Sequence, residues 1–587
     1  MSKKVLFFVL LILIFSLNIF SIDVEKFLLK DGDLYLISKN MDSLNEVVFS
    51  SIGRIYDETK NRSEWGEIFQ NNNLKKFNCA ICVKLPDKIG VGSLLFEMVL
   101  EVKDKKSYRD LKDIFQKKFS LIKGEKLADF FIFSGGKKNI QCAFNDEKNL
   151  VFVGNGNLVK EGISSFLSGG GFDIREKREI LENLDNTKDI LSHSSLIFVD
   201  FRALEEAIDY LSKSLDESKK LKSKSDSKDE KNPFGEMFAN MFTGSNVKNF
   251  FKNCGVMDVK YLFFRLKDGK KSYSAREFLK VESNGDTLIK KILDFYVSDR
   301  SYEKVINNIP GGYNTVLYGR LPISIFLNKF KEVIAKSFGP QMKTMLNSFL
   351  GMADMQTSIY VGLTTGEIMD LLGNDFLYIS NYGKGLKNEN FGVSIFFPKK
   401  IDLLDKMIKA LKDMKYKDLN IVEKSVNGKK EFTFSYKKYK LYLLEDLNFF
   451  AVSQSEKSLL DLQNALNEPE YGVKKDFRNF LLNKDIVSFG YGDIFKVFQK
   501  DVMDLVFMRG KSSSVTALNL KLSPEDVFSN WRYSYVESDG VHSVYNINRE
   551  YFKGFMDKLV SYFIMKIKSS REKEKELKKS GESGKDK

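Results

Sequence analysis

Histidine, cysteine, tryptophan and proline are scarce in this chain of 587 residues, which holds 2, 4, 2 and 8 of them. The few prolines exclude long proline-rich linkers. The two histidines, His193 and His542, have no nucleophile or metal partner at a useful spacing, so we expect both at the surface. No phosphate-loop lysine motif occurs. The sequence therefore predicts no catalytic residue, no cofactor-binding residue and no metal ligand.

The four cysteines are Cys79, Cys82, Cys142 and Cys254. Cys79 and Cys82 have the spacing of redox disulfides, in which the first thiol lies at a helix N-terminus. Here the pair lies in an apolar run that is typical of a strand, where residues three apart point to opposite faces. Four cysteines in an exported chain allow three disulfide pairings, and a zinc site would need all four to converge. We favour structural thiols and leave their disulfide state open.

Long hydrophobic runs are also few, and the main one stands at the N-terminus. Residues 1–4 are basic, residues 5–20 are nearly all apolar, and Ser21 is small. This order is typical of a secretory signal peptide. The apolar run is also shorter than a membrane-spanning helix, which needs about 20 residues. We expect export to the periplasm, the cell surface or the medium, with cleavage near Ser21. An uncleaved membrane anchor is the alternative.

Phenylalanine, tyrosine and charges of both signs are abundant. The chain holds 51 Phe and 24 Tyr, side chains that favour strands and bury large areas. The net charge of +14 is spread among many acidic and basic residues, which indicates an ordinary charged surface. Weak contact with an anionic membrane surface is the alternative. We expect no nucleic acid partner, because no binding motif appears and exported proteins rarely meet nucleic acid.

A pattern of strand, turn and amphipathic helix recurs along the chain. It is clearest at residues 196–211 and 486–502, and related units begin at Leu34 and Val316. About eight elements follow in the same order and at similar spacing after each start. We therefore predict an α+β fold of two tandem similar halves, each made of antiparallel sheets with helices packed on one face.

The matched elements are strands, helices and one hairpin in each half. The hairpins are expected to turn at Asp268-Gly269 and Asp539-Gly540. Asp-Gly favours a two-residue turn, because both central positions of that turn need positive φ. The other matches, first half against second, are helix 44–56 with 323–338, strands 80–85 with 358–363 and 96–102 with 391–397, helix 108–119 with 403–414, strands 130–133 with 432–434, 139–144 with 440–444 and 150–153 with 449–452, and helices 158–167 with 459–466 and 287–295 with 552–563.

These matches divide the chain into segments. Residues 1–21 form the signal peptide or N-terminal anchor, and residues 566–587 a disordered charged tail. The first half covers 22–298, with subdomains of about 22–170 and 171–298, and the second covers 299–565, with subdomains of about 299–468 and 469–565. Residues 213–232, nearly all Lys, Ser, Asp and Glu, are a charged insertion that extends a helix or forms a mobile loop. Residues 233–242 are rich in Phe and Met, and core packing is favoured over an exposed flap.

The duplication also tests a glycine motif. Gly154-Asn-Gly156 follows a strand and opens a helix, as a dinucleotide-binding loop does. The second half has Ser453-Gln-Ser455 at that place. Since glycine and serine both suit a helix start, we favour capping over cofactor binding.

The same test applies to the thiols. Thr357 and Tyr360 stand where the first half has Cys79 and Cys82, so the fold does not require them. The acidic pair Glu205–Glu206 is expected on the solvent face of a helix rather than in a catalytic site.

Together these features predict an exported envelope or secreted protein that binds or scaffolds without catalysis. Its partner would be an apolar or lipid-like ligand or an envelope protein, held between the halves or on an aromatic sheet face. The alternative is an exported hydrolase whose two carboxylates are far apart in the sequence. An aromatic-lined groove would favour binding, and a cleft with two buried acids would favour the hydrolase.

Overall fold

A computed structural model describes the chain, in its residues 34–39, 54, 77–84, 95–135, 140–155, 157–169, 194–222, 242–269, 271–283, 285–307, 313, 315–380, 392–426, 428–466, 481–492, 530–538, 540–554, 556–557, 560–561, 564–565 and 568. Over these residues the fold is mixed α+β, as predicted, with a large antiparallel sheet and helices packed on it.

The strands are short, and many are rich in β-branched and aromatic residues, which fit a pleated surface. In chain order they are β1 Leu34–Lys39, β2 Phe77–Lys84, β3 Leu95–Val102, β4 Leu121–Leu127, β5 Phe130–Gly135, β6 Ile140–Asn145, β7 Leu150–Asn155, β8 Ser194–Asp200, β9 Val259–Asp268, β10 Ser272–Val281, β11 Thr315–Arg320, β12 Asp375–Ser380, β13 Val393–Phe397, β14 Leu419–Val426, β15 Lys429–Tyr436, β16 Tyr439–Glu445, β17 Phe450–Ser453, β18 Asp485–Tyr491, β19 Trp531–Glu537 and β20 Gly540–Asn548.

The named helices of the described part lie between these strands. They are α1 Lys105–Lys118, α2 Leu158–Leu167, α3 Arg202–Lys222, α4 Gly244–Cys254, α5 Leu288–Ser298, α6 Tyr302–Asn307, α7 Ile323–Phe338, α8 Pro340–Val361, α9 Thr365–Leu372, α10 Asp402–Asp413 and α11 Glu456–Leu466. The insertion predicted at 213–232 therefore continues helix α3 as far as Lys222, and the remainder of it lies outside the described residues.

One run of antiparallel pairings links all the described strands. The order across the sheet is β4-β5-β6-β7-β3-β2-β1-β8-β9-β10-β20-β19-β18-β11-β12-β13-β17-β16-β15-β14. The β10–β20 pairing lies at its centre, running from Ser272 opposite Asn548 to Lys280 opposite Gly540. The strands follow in the same order on both sides of this pairing. Moving outward, β9 corresponds to β19, β8 to β18 and β1 to β11, and every further strand of the first side corresponds to the strand numbered ten higher on the second side.

Helices cover both faces of the sheet, which corrects the prediction that they pack on one face. Cys79 and Ile81 of β2 pack with Phe115 of α1, whereas Ala80 and Cys82, their alternate neighbours, pack on the other side with helix α2. Because strand residues alternate between faces, an apolar run that is buried at every position needs a layer on each side. The whole described run from residue 78 to residue 83 is buried.

The predicted hairpins are present as β9–β10 and β19–β20. Neither hairpin turns at the predicted dipeptide, because Asp268 pairs with Tyr273 in the first and Gly540 pairs with Glu537 in the second. Gly540 has φ +150°, and a Cβ there would come within 2.1 Å of the Leu279 carbonyl oxygen on strand β10. The central pairing therefore needs a glycine at this position.

The strand predicted at residues 358–363 is wrong. Residues 358–361 are the last turn of helix α8, and the strand that occupies the place of β2 in the sheet order is β12. A short apolar run does not distinguish a strand from a helix, and here it ends a helix of 22 residues. Thr357 and Tyr360 are therefore not the counterparts of Cys79 and Cys82.

Candidate functional site

Helix α8 has sharply defined ends. It begins after Gly339 with Pro340 in its first turn, where a missing N–H costs no hydrogen bond. It ends at Gly362, which has a left-handed backbone with φ +74°. A Cβ on Gly362 would lie 2.1 Å from the Cβ of Ala410 on helix α10, so close packing also requires glycine here.

The outward side of α8 is apolar. Six large hydrophobic side chains on it are between 37% and 64% exposed: Met345, Phe349, Met352, Met355, Ile359 and Tyr360. We call these six residues the α8 stripe. Residues 345, 349, 352, 356 and 359 follow the alternating spacing of four and three that places side chains along one helix face, with Gln356 as the polar member.

The charges of α8 lie away from the stripe. Lys343 and Asp354 are the charged residues of this helix, and at 100° per residue both fall on the opposite side. Asp354 accepts hydrogen bonds from the backbone N–H of Thr365, at 2.9 Å, and from its hydroxyl, at the start of α9. These hydrogen bonds lower the pKa of Asp354. The inner side of α8 packs against α7, α9 and α10. The helix is therefore packed on one side and exposed to solvent on the other.

A buried charge cluster lies at the start of strand β12. The Arg320 side chain is fully buried, with Nε 3.3 Å from Asp375 Oδ1 and Nη2 3.4 Å from Asp299 Oδ1. It also donates hydrogen bonds to the carbonyl oxygens of Tyr296, Asp299 and Ile486 at 3.3, 2.6 and 3.2 Å. The aromatic rings of residues 295, 296 and 302 lie within 5.6 Å of the guanidinium.

Asp375 uses both carboxylate oxygens within the protein. Oδ1 accepts from the Tyr318 hydroxyl, and Oδ2 accepts from the Ser301 hydroxyl at 2.6 Å. Burial first, and then the Asp375 carboxylate, raise the pKa of Tyr318 well above its usual value, so this phenol stays a donor. The cluster therefore ties β11, β12, β18 and the α5–α6 connection together.

A cleft of about 740 Å³ opens beside this cluster. Asp299 and Asp375 line it, as do Lys429 and Asp446, which form an ion pair of 2.7 Å. Its apolar lining includes Phe397 and Phe449, and Ser301, Lys399 and two asparagines complete the polar lining. The cleft is thus mixed in polarity rather than an aromatic-lined groove.

The structure separates the four cysteines. Cys79 and Cys82 lie in β2 and point to opposite faces of the sheet, as their spacing predicts, and no disulfide joins any of the four cysteines, all of which are described. Burial raises the pKa of the Cys79, Cys142 and Cys254 thiols. Within the described ranges, no group of three or more His, Cys, Asp or Glu side chains could hold a metal ion.

The expectation of a surface position for His542 is wrong. This side chain is buried on strand β20, with its ring stacked on Phe278 at 4.5 Å and on Tyr535 at 5.1 Å between centroids. Phe278 lies on β10, so the imidazole packs over the central β10–β20 pairing of the sheet. His193 lies outside the described residues.

The remaining sequence motifs are local features. Gly154 lies within strand β7, and the N-cap of helix α2 is Asn157, whose side chain makes no capping hydrogen bond, so Gly154 does not cap this helix; Gly156 lies outside the described residues. In the second half, Ser455 Oγ accepts from the Ser458 N–H at 3.3 Å and caps α11, as predicted there. Glu205 is exposed on α3, as predicted. Phe242 is the described residue of the Phe- and Met-rich segment; its ring packs on Phe338 at 5.2 Å but is 42% exposed, so this residue does not lie in the core as predicted. Residues 1–21, 233–241 and all of the tail except residue 568 lie outside the described part.

Two features were missed in the sequence, the α8 stripe and the Arg320 cluster. The stripe had a visible signal, since only two charged residues occur between Gly339 and Gly362. The cluster had none, because its members come from segments far apart in the chain.

No helix among the described residues is long and apolar enough to cross a membrane.

In class, the described chain is an α+β protein built on one antiparallel sheet. Comparison with family models and with curated proteins gives no match. Among solved structures, the chain is similar to crystal forms III, I and IV of TP0453, at 10%, 12% and 11% sequence identity and TM-scores of 0.25, 0.24 and 0.25. These matches cover 50%, 49% and 47% of this chain and 90%, 88% and 85% of the other.

Proposed function

We propose that this chain is a non-catalytic envelope or secreted protein that binds a partner through the α8 stripe. The observation that carries the proposal is the stripe itself: six large apolar side chains on one uncharged helix face, all substantially exposed. Contiguous apolar surface of this kind marks interaction sites in soluble proteins. Export is supported by the basic, apolar and small-residue order of residues 1–21.

We also propose that the chain descends from a duplication, with halves at about 22–298 and 299–565. The support is the equal succession of strands on either side of the β10–β20 pairing, together with the sequence matches. On this view helix α8 is an addition. Residues 321–374 separate β11 from β12, whereas only residues 40–76 separate the corresponding β1 and β2. A helix that the shared fold does not need is a natural place for a function acquired by one half.

Oxidation footprinting in intact cells tests the binding proposal. Met345, Met352 and Met355 are exposed in the isolated protein, and Met565, 39% exposed and outside the stripe, is an internal control. A bound partner excludes water, so we expect the three stripe methionines to oxidise several-fold more slowly in cells than in dilute purified protein. Met565 should oxidise equally in both samples. Equal rates at all four methionines would contradict the proposal.

A hydrolase is the second candidate, because Asp299 and Asp375 line the same cleft and contact the same guanidinium. Glycoside hydrolysis uses two carboxylates that flank the scissile bond. Against it, both oxygens of Asp375 are already engaged with the protein. The test is release of reducing ends from cell-envelope polysaccharide. A hydrolase would lose at least about 100-fold in rate on Asp299→Asn, while a rate that does not depend on Asp299 would exclude this site.

A further inference from the structure

We infer that the partner of the α8 stripe is a second copy of the same chain, which forms a dimer through α8–α8 packing. This inference rests on the proposed function, since it names the occupant of the same surface. Three properties of the stripe favour another copy: its spacing, its area and its lack of charge.

The spacing suits helix pairing. Positions 345, 349, 352, 356 and 359 repeat at alternating intervals of four and three, as core positions of paired helices do. From Met345 to Tyr360 the stripe is about 22 Å long, at 1.5 Å of rise per residue. Three of its six members are methionines, whose flexible side chains adapt to an identical opposing surface.

The area is sufficient for a dimer. Six side chains of this size, exposed by 37% to 64%, present roughly 600 Å². Two copies that covered each other's stripe would bury roughly 1,200 Å², which is the lower limit of specific, stable interfaces. We therefore expect a dimer with a dissociation constant in the micromolar range.

The charge pattern favours a protein surface over a lipid surface. A helix that lies on a membrane has lysines and arginines beside its apolar face. The exposed neighbours of the α8 stripe on the same side are neutral, including Gln341, Ser348 and Gln356. Gln356 lies within the core-like positions, where a single polar residue sets register and oligomeric state in paired helices.

Sedimentation equilibrium of the protein purified from its own cells, from about 1 to 100 µM, tests the inference. We expect twice the monomer mass to appear across this range. Met352→Glu should weaken the dimer at least about 100-fold, because each copy would bury an unpaired carboxylate. Tyr439→Glu is the matched control, since Tyr439 is 65% exposed on strand β16, and it should leave the dimer unchanged.

A disulfide test locates the contact. All four native cysteines are buried, so Met352→Cys adds an accessible thiol at the middle of the stripe. Two such residues face each other near the symmetry axis whether the helices run parallel or antiparallel. We expect Met352→Cys, but not Tyr439→Cys, to give a disulfide-linked dimer under mild oxidation.

The outcomes separate this inference from the proposed function. A monomer at 100 µM, or a dimer that is insensitive to Met352→Glu, would overturn α8 pairing. If the stripe methionines are nevertheless protected in cells, the binding proposal stands with a different partner. Flotation of that monomer with vesicles of anionic phospholipid would identify the partner as a membrane surface. Unprotected methionines and a monomer together would refute both.

Discussion

Replacement of the buried Arg320 should cost a large share of the stability of the chain. Arg320→Met keeps much of the side-chain volume but removes the cation from between Asp299 and Asp375. Breaking a buried ion pair by removing one partner costs about 3–5 kcal/mol, and each buried carbonyl that loses its donor adds about 1 kcal/mol or more. Two buried carbonyls, those of Tyr296 and Ile486, lose their donor, so we expect a loss on the order of 5–7 kcal/mol.

Urea unfolding followed by circular dichroism measures this loss. Arg300→Met is the matched control, because Arg300 is half exposed and pairs with Glu303 at the surface, and we expect a loss below about 1 kcal/mol. The double variant Arg320→Met with Asp375→Asn should recover about 2–3 kcal/mol, since the remaining buried charge is removed with its partner. Equal losses for Arg320→Met and Arg300→Met would refute the reasoning.

Three further predictions follow from buried or hydrogen-bonded groups. In the native protein a thiol reagent at pH 8 should label none of the four buried cysteines, and all four after denaturation, because burial blocks access and also raises the pKa of the Cys79, Cys142 and Cys254 thiols; rapid native labelling would contradict their placement. His542→Ala should destabilise the chain by about 2–4 kcal/mol in urea unfolding, because it leaves a cavity between two rings, and His542→Phe should recover most of that loss. The pKa of Asp354 is lower in the folded state than in the unfolded state. Its contribution to the free energy of unfolding is therefore present above the unfolded pKa, near 3.9, and is lost as the pH falls through the folded pKa. Thermal melts between pH 3 and 7 should therefore show a shallower acid decline for Asp354→Asn than for the wild type, and parallel curves would oppose this.

Much of the sheet could be predicted because its signals are local. The hairpins β9–β10 and β19–β20 follow from alternating aromatic runs around a turn, and strands such as β5 and β7 are compact apolar runs. The edge strands β4 and β14 were not predicted. Both contain exposed charged residues, for example Glu125 and Lys424, so they lack an apolar pattern.

The errors have two other causes, contacts that form only in the folded chain and sequence windows that are too short. The sequence around His542, with Val541 before it and Ser543 after it, does not mark it as buried, and Phe278 reaches it through the β10–β20 pairing. Helix α8 was missed because the apolar run at its end resembles a strand in a short window. The Arg320 cluster draws on positions from 296 to 486, a separation that no sequence window covers.

The central β10–β20 pairing also limits how the chain can be divided. The outer strands β4 and β14 present charged edges, which discourage strand addition by another molecule. Strand β10 is different: nine of its ten residues pair with β20 on one side. A fragment that stopped after residue 298 would present that whole strand as an open edge. Expressed alone, such a fragment should recruit strands from other molecules and precipitate, so domain-by-domain study of this protein needs the two parts produced together.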